Sequence, residues 1–418
     1  MVDVTELPSG ENGAVAEFFD IRTRDGKKPP SRESEYMRKA TDKLQAERER
    51  RLSFLQEAVT KDAINRATQR LTGLAHPDRD YIVIRSEFIY RLPARPAWDA
   101  ELGEDITTRP PLTRLLKGKN QHAIGLYLTK LFIEQMRAAH SAANNPTPPP
   151  EPLRRHSVYN IDNAPSEASL IGLPSVDRRN QRRVFNRALD ALYKCELADL
   201  GETGHRYTNH TLNREDGSGR RYRPPSGEPN HLKHLCLPTE FFTTGWHLIL
   251  TPSELATLLA VCHVADRKLP RTPHTADHPR QIFLAESVRK KHLGLSAEAY
   301  EAIHQLAEFR LIATDDTVEG RRRGRISPEM TGGRRPDPYK LTPTILGGFP
   351  SDERGFDRTL FSKPAIEVAI DRLRGPMARY AVWAGTSDRR MPNPLRPLPE
   401  STNTRATGHS CFRLFDLL

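Results

Sequence analysis

Cysteine is scarce in this chain of 418 residues: there are four, Cys195, Cys236, Cys262 and Cys411, with no Cys-x-x-Cys and no close pair. That spacing excludes a disulfide framework and a thiolate metal site of the usual kind. Long apolar runs are missing as well. The best candidate, Leu255 to Ala265, is about half of the roughly 20 residues that cross a bilayer and contains His263. No membrane span is expected. Met1 to Gly13 is mildly acidic and lacks the basic, apolar and small-residue order of a secretory signal, so a cytoplasmic protein with reduced thiols is expected.

Several catalytic patterns are absent too. Gly332-Gly333 and Gly347-Gly348 stand outside any Gly-x4-Gly-Lys-Ser/Thr loop that could cradle nucleotide phosphates. No His-hydrophobe-His triplet of the nicking-enzyme type occurs. His231-Leu-Lys-His234 lies beside Cys236, but no spaced His/Cys set completes a tetrahedral metal site. The expectation is a protein that is not an enzyme, with no metal and no cofactor.

What the chain has is positive charge and proline. Sixty-four Lys and Arg against 53 Asp and Glu give a formal charge of +11, which suits a polyanionic partner. Thirty-four prolines and a mean hydropathy of −0.64 predict segments that stay outside any core. The length favours more than one compact unit. Residues 1–75 read as a disordered start and a charged, exposed helical arm from Ser31 to Leu71, which lacks Pro and Gly and carries Met37, Leu44, Leu52, Leu55, Val59 and Ile64 at irregular helical intervals. Residues 76–230 form a first domain with a Pro-rich linker at 144–152, and residues 231–350 a second. Residues 351–418 hold a short helix and a disordered Pro/Arg-rich tail.

The two middle stretches resemble each other. Tyr81-Ile-Val-Ile-Arg-Ser-Glu-Phe88 precedes a helix over 121–140, then Ser169-Leu-Ile-Gly-Leu-Pro174 and a helix ending in Leu192-x4-Leu197. Leu235-Cys-Leu-Pro-Thr-Glu-Phe241 precedes a helix over 252–266, then His292-Leu-Gly-Leu-Ser296 and a helix ending in Leu306-x4-Leu311. An internal duplication explains the common order. Thr251-Pro-Ser-Glu254 has the spacing of a capping box, and Ser296 that of an N-cap. With strands at 281–284, 311–312 and 339–341, the second stretch reads as helix, helix, turn, helix and hairpin. The fold class expected is mainly α with small β wings: two tandem winged-helix (helix-turn-helix) domains plus the helical N-terminal arm.

On the helix from about 176 to 192, Phe185, Ala188, Leu189 and Leu192 fall on one side, and Arg179, Arg182, Arg183, Asn186 and Arg187 on the other. With Arg178 there are five arginines for Asp177 and Asp190 alone. Guanidinium forks can take G O6 and N7 or phosphates, and Asn can pair with adenine, so this face is a candidate groove reader. A first wing is expected with its tip at Glu215-Asp-Gly-Ser-Gly219, followed by Arg220, Arg221 and Arg223. In the second stretch, Arg289, Lys290 and Lys291 precede the turn, and Arg321, Arg322, Arg323 and Arg325 form a basic wing tip, suited to clamping phosphates. The second reading helix, Ala297 to Arg310, presents Glu298, Glu301, His304, Gln305 and Glu308, and its carboxylates predict that it does not lie deep in a groove.

On Leu235 to Phe242, Thr251 to Glu254, Gly294-Leu-Ser296 and the Leu306/Leu311 pair, the stretch from about Tyr81 to Pro343 resembles the two-domain winged-helix replication initiators of bacterial plasmids. The resemblance implies binding of double-stranded DNA at repeated sites near an origin, local duplex opening and recruitment of host replication proteins, without catalysis. A transcriptional regulator or partition adaptor on the same folds, binding operator DNA without strand opening, is the alternative, and a homodimer built through the second domain is compatible with either.

Overall fold

The computed structural model describes residues 32–91, 109–117, 120–142, 167–174, 177–226, 233–267, 281–315, 339–345 and 358–375. Two helices open this part of the chain: α1 (Arg32–Gln56) and α2 (Ala58–Leu74), separated by Glu57 alone, whose ψ of 125° breaks the helical run. Strand β1 (Tyr81–Arg85) follows, then α3 (Pro111–Arg114), α4 (Ala123–Ala142), α5 (Glu167–Leu170) and α6 (Arg178–Lys194), and the short strands β2 (Ala198–Asp199) and β3 (Thr211–Leu212). A second series runs β4 (His234–Pro238), α7 (Thr239–Thr243), α8 (Trp246–Ile249), α9 (Pro252–Arg267), β5 (Ile282–Phe283), α10 (Glu286–Lys291), α11 (Ala297–Tyr300), α12 (Ala302–Glu308), β6 (Ile312–Asp315) and β7 (Lys340–Pro343). Helix α13 (Ala365–Arg374) ends the described chain. The described structure is thus mainly helical with a few small antiparallel sheets, as the composition and periodicity predict.

The two series meet along their opening strands. β1 and β4 pair antiparallel, from Tyr81↔Pro238 to Arg85↔His234. Val83 lies three residues before Ser86-Glu-Phe88 and Cys236 three residues before Thr239-Glu-Phe241, and these two are Cα partners. The register is therefore symmetric about its own centre. The flanking bonds repeat it: Ser86 N donates to Lys233 O at 2.7 Å, and Thr239 N to Asp80 O at 2.8 Å. Phe88 and Phe241, at matching positions, are both fully buried.

The turns repeat as well. Gly172 (φ +69°), between α5 and α6, and Gly294 (φ +64°), between α10 and α11, occupy the left-handed region, flanked by buried Ile171 and Leu173, and Leu293 and Leu295. The helical segments that follow, α6 and α11–α12, also end alike. Leu197 N donates to Leu192 O and Leu311 N to Leu306 O, each at 2.9 Å, with the intervening Glu196 (φ 61°) and Arg310 (φ 62°) left-handed. The Leu-x4-Leu spacing marks this closure, because both leucines must reach the same core. At the start of α9 the capping box forms: Thr251 N donates to Glu254 Oε2 at 2.8 Å, and Glu254 N to Thr251 Oγ1 at 3.3 Å. Ser296 Oγ accepts from Ala299 N at 3.1 Å at the start of α11. Sheet order β5-β7-β6 brings the strand before α10 beside the hairpin after α12.

Three expectations need correction. The N-terminal arm is not exposed along its length: Ala63, Ile64, Ala67, Leu71 and Leu74 on α2 are buried, and Leu55 on α1 is 2% exposed. Its irregular apolar spacing is that of a helix laid on a body rather than of a free rod. Glu215 does begin the loop of the 213–221 hairpin, which Arg214 N closes on Arg220 O at 2.7 Å, but its side chain is fully buried rather than at an open tip, with Oε2 2.5 Å from Arg85 Nη1 on β1. The hairpin that directly follows α6 is β2–β3, with its loop at 200–210. Lastly, the helix read over 297–310 is broken into α11 and α12 at Glu301, and Glu308 is engaged by Arg48 of α1.

Paired substitutions test the backbone geometry. Glu196 is exposed and left-handed, so Glu196→Gly raises stability by about 0.5–1 kcal/mol. A Cβ at Gly294 would stand 2.7 Å from Thr113 Oγ1 in addition to its left-handed strain, so Gly294→Ala lowers it by about 2 kcal/mol or more. Urea midpoints of the two variants should move in opposite directions.

Candidate nucleic-acid interface

Helix α6 starts at an N-cap: Asp177 Oδ1 accepts from Arg179 N at 3.0 Å and Asn180 N at 3.1 Å. Its buried side is the one expected, with Phe185 and Leu189 at 0%, Ala188 at 2% and Leu192 at 0% exposure. Arg179, Arg182, Arg183 and Arg187 are exposed along the other side, and Tyr193 and Lys194 extend it toward the C-terminus. Arg183 Nη2 donates to Asn180 Oδ1 at 2.8 Å, which orders one guanidinium along the helix surface. Asn186 is half-buried rather than open, and its Oδ1 has no hydrogen-bond partner. Arg178 is the first residue of the helix; its side chain lies outside the described residues.

Short helix α5, which sets the entry to α6, is held by Glu167. Its carboxylate meets Lys130 Nζ of α4 at 3.1 Å and His210 Nε2 at 2.9 Å, and His210 in turn stands edge-on to Phe185. Burial pushes the Glu167 carboxyl up, but Lys130 and His210 outweigh it and hold it down to about 2. One carboxylate thereby ties α4, α5 and the base of the β2–β3 loop together.

That loop was missed in the sequence. Tyr207 Oη donates to Asp190 Oδ2 at 3.1 Å, and Arg206 Nη2 lies 3.4 Å from Asp190 Oδ1, with the Arg206 guanidinium over the Tyr193 ring at 5.7 Å. Exposed His205 and Arg206 are thus brought beside the α6 arginine face, and the acid within that face is neutralised. Gly201-x2-Gly204 just after the strand at 198–199 is the turn signal that marks it.

The next hairpin packs at the C-terminal end of α6. A Cβ at Gly217 would stand 3.0 Å from Pro111 Cγ and 3.5 Å from Cys195 O. Asp216 binds Ser218, Arg214 at 3.4 Å and Arg220 at 3.0 Å, so Arg220 is exposed but paired. Arg221 is exposed and bridges Asn213 in the backbone. Arg223 is exposed, and its carbonyl accepts from Arg85 Nη2 at 2.8 Å. Burial pushes the Glu215 carboxyl below this hairpin upward, against the pull of Arg85.

In the second series the structure removes one candidate. Arg289 is 7% exposed; its Nη1 donates to Leu295 O at 3.0 Å across the Gly294 turn, and its guanidinium lies over Tyr300. A guanidinium satisfied in this way shapes the turn and cannot reach a nucleic acid. Lys290 is exposed and pairs with Glu286 at 2.5 Å, while Lys291 is half-buried. Arg321, Arg322, Arg323 and Arg325 lie outside the described residues. Glu298 and Glu301 are exposed, as expected.

Among the described residues there is no group of three or more His, Cys, Asp or Glu that could hold a metal, and no helix long and apolar enough to cross a membrane. Comparison with protein-family models, with curated proteins and with solved structures finds no match to this chain.

Acid should unlock the α5 anchor in a defined window. Glu167 has its carboxyl depressed in the folded state, so its contribution is full above the unfolded value of about 4.5 and is lost as pH falls through about 2. The size is about 2–3 kcal/mol. Two core histidines act earlier: burial lowers both His247 and His263 to about 3, so stability falls as pH drops below the unfolded value of about 6.5. Glu167→Gln should lower stability at neutral pH and flatten the loss between pH 4.5 and 2, read by thermal melts across pH.

Proposed function

We propose that the chain is a sequence-specific double-stranded DNA-binding protein without catalytic activity, built from two winged-helix domains, and that it acts as a plasmid replication initiator at repeated sites. The observation that carries this reading is the exposed arginine face of α6, backed by a fully buried apolar side and continued by Arg206, Arg220, Arg221 and Arg223. Only Asp177 and Asp190 lie on the helix itself, and both are already used, one as the N-cap and the other by Tyr207 and Arg206. Exposed guanidinium groups at this density find good partners in phosphates and in guanine edges. Supporting the winged-helix reading are the order of helices about each left-handed glycine and the β5-β7-β6 sheet. Self-association at the origin and engagement of host replication proteins in the cytoplasm complete the proposal. A regulator or partition adaptor would bind in the same way without opening the duplex, and probing bound DNA with a single-strand-selective reagent separates the two.

Binding should fall steeply with salt, at about 0.9 in log K per log salt for each neutralised phosphate. Replacing Arg179, Arg182 or Arg183 by Ala should cost about 1–3 kcal/mol on the preferred site, with smaller losses on random duplex. Fluorescence anisotropy on both duplexes at several salt concentrations measures this. A flat salt response, or equal losses on both duplexes, would remove α6 as the reading helix.

A further inference from the structure

The exposed arginines of α6 do not stand equally in front of a partner. At about 100° per residue, the direction opposite Phe185, Ala188, Leu189 and Leu192 falls within about 10° of Arg183, with Arg187 about 30° away, Arg179 about 50° away and Arg182 about 110° round on the flank. Arg183 is therefore the crest of the helix. It also has a neighbour that orders it. Exposed Asn180, one turn earlier, accepts at its Oδ1 from Arg183 Nη2 at 2.8 Å. Asn180 is itself seated in the N-cap, because its backbone N donates to Asp177 Oδ1 at 3.1 Å. The cap fixes the backbone of Asn180, and the Asn180 side chain draws the Arg183 guanidinium toward the first turn of α6. A single carbonyl on Nη2 leaves the fork usable. Nη2 carries two hydrogens, one on the edge shared with Nε and one on the edge shared with Nη1, so one edge keeps its parallel pair of donors whichever hydrogen Asn180 takes.

We propose that Arg183 is the guanine-reading residue of α6 and that Asn180 is the positioning residue that presents its fork. This rests on the DNA reading above and names the base that the first turn of α6 meets. In the major groove only guanine sets two acceptors, O6 and N7, side by side to match two parallel N–H groups; adenine puts a donor beside its N7 and turns the pair away. An exposed arginine loses rotamer freedom when it docks, and one already ordered by a neighbour loses less. Phosphates accept from many directions and gain little from such ordering, whereas a base edge accepts from one. The bond from Arg183 to Asn180 therefore favours selectivity over bare affinity.

The test uses the full chain. A duplex selected from a randomised library with the parent is varied one base pair at a time, and affinities are read by fluorescence anisotropy for the parent and for variants. At one position the parent should prefer guanine by about tenfold or more, and Arg183→Ala should bring that preference below about threefold. Arg183→Lys, which keeps the charge without the fork, should lose the preference as fully while retaining more affinity for random duplex. Asn180→Ala should lower the guanine preference by about threefold or more, with a smaller loss on random duplex, and should change nothing further in the Arg183→Ala background. Asn180→Asp, which keeps an acceptor in place, should retain the preference ratio even where its added charge weakens all duplexes alike. An undiminished guanine preference in Asn180→Ala, or an equal effect of Asn180→Ala with and without Arg183, would overturn the positioning role. A base preference that survives Arg183→Ala at every position, or one for a base other than guanine at the affected position, would overturn Arg183 as the reader and leave the DNA reading standing on the other arginines. Absence of any preferred duplex for the parent would overturn both.

Discussion

The two described series meet along a two-stranded ribbon, and the arginine-bearing surface is positioned from it. Five-residue strands paired alone are marginal in water, so β1 and β4 persist only because they are covered and their edges are satisfied. Gln135 of α4 supplies part of this: its Nε2 donates to Val83 O at 2.7 Å, and its Oε1 accepts from Val83 N at 3.0 Å. A side-chain amide thus stands where a third strand would pair, and it does so at the central residue of the register. Tyr222 Oη accepts a second bond from the same amide at 3.0 Å, which ties the ribbon to the hairpin beyond α6. Arg85 does likewise one turn of pleat away, through Glu215 and Arg223 O. The arginine-bearing surface is therefore positioned from the ribbon outward, through buried polar groups whose partners are all fixed.

Segments outside each series hold the turns inside it. The Gly172 turn is seated on Ile64 of α2. The Gly294 turn is seated on Thr113 of α3, and just before it His292 stacks on Tyr90 at 5.1 Å, accepts at its carbonyl from Arg91 N at 3.0 Å and places its Nδ1 3.2 Å from Arg91 O. Each turn needs glycine for its backbone angle and for the approach of a foreign side chain, and both needs come from the same absent Cβ. Helix α3 touches the Gly217 hairpin on one side and the Gly294 turn on the other, so it wedges the two series apart at a set distance.

What the sequence made legible was local. The capping box at 251–254, the N-cap at Ser296, both Gly-Leu turns, the Leu-x4-Leu closures and the two-sided character of α6 depend on neighbours within a few residues, and pattern reading finds them. Arg48, Arg51, Arg289 and Glu215 were read as solvent-facing or as ligands for a partner. Charge is normally exposed, and nothing nearby in sequence announces a buried counterpart: Arg51 meets Glu254, and Arg48 meets Glu308 and the end of α13. The β2–β3 loop escaped for a different reason. Two-residue strands carry no alternation, so the longer run of charge at 214–223 drew the hairpin to itself.

Backbone sameness with chemical difference is what remains to be explained between α6 and α11–α12. Both helices must present the same apolar side, since both follow a left-handed glycine and close on a leucine five residues beyond another. Their outer faces are under no such constraint. On α6 that face is arginine; on α11–α12 it is Glu298 and Glu301, with Glu308 held by Arg48. A carboxylate 4 Å from a phosphate oxygen costs about 1 kcal/mol even in bulk water, and more as water is excluded. On the DNA reading, then, α11–α12 cannot enter a groove with that face forward. The second series must bear on DNA through its flanks, or serve as the body against which α1 and α13 brace the first. Arg48 favours the latter: a guanidinium with all three nitrogens engaged, at Glu308 and the carbonyls of Arg372, Leu373 and Gly375, costs several kcal/mol to strand, so this end of α12 is a fixed joint rather than a ligand surface.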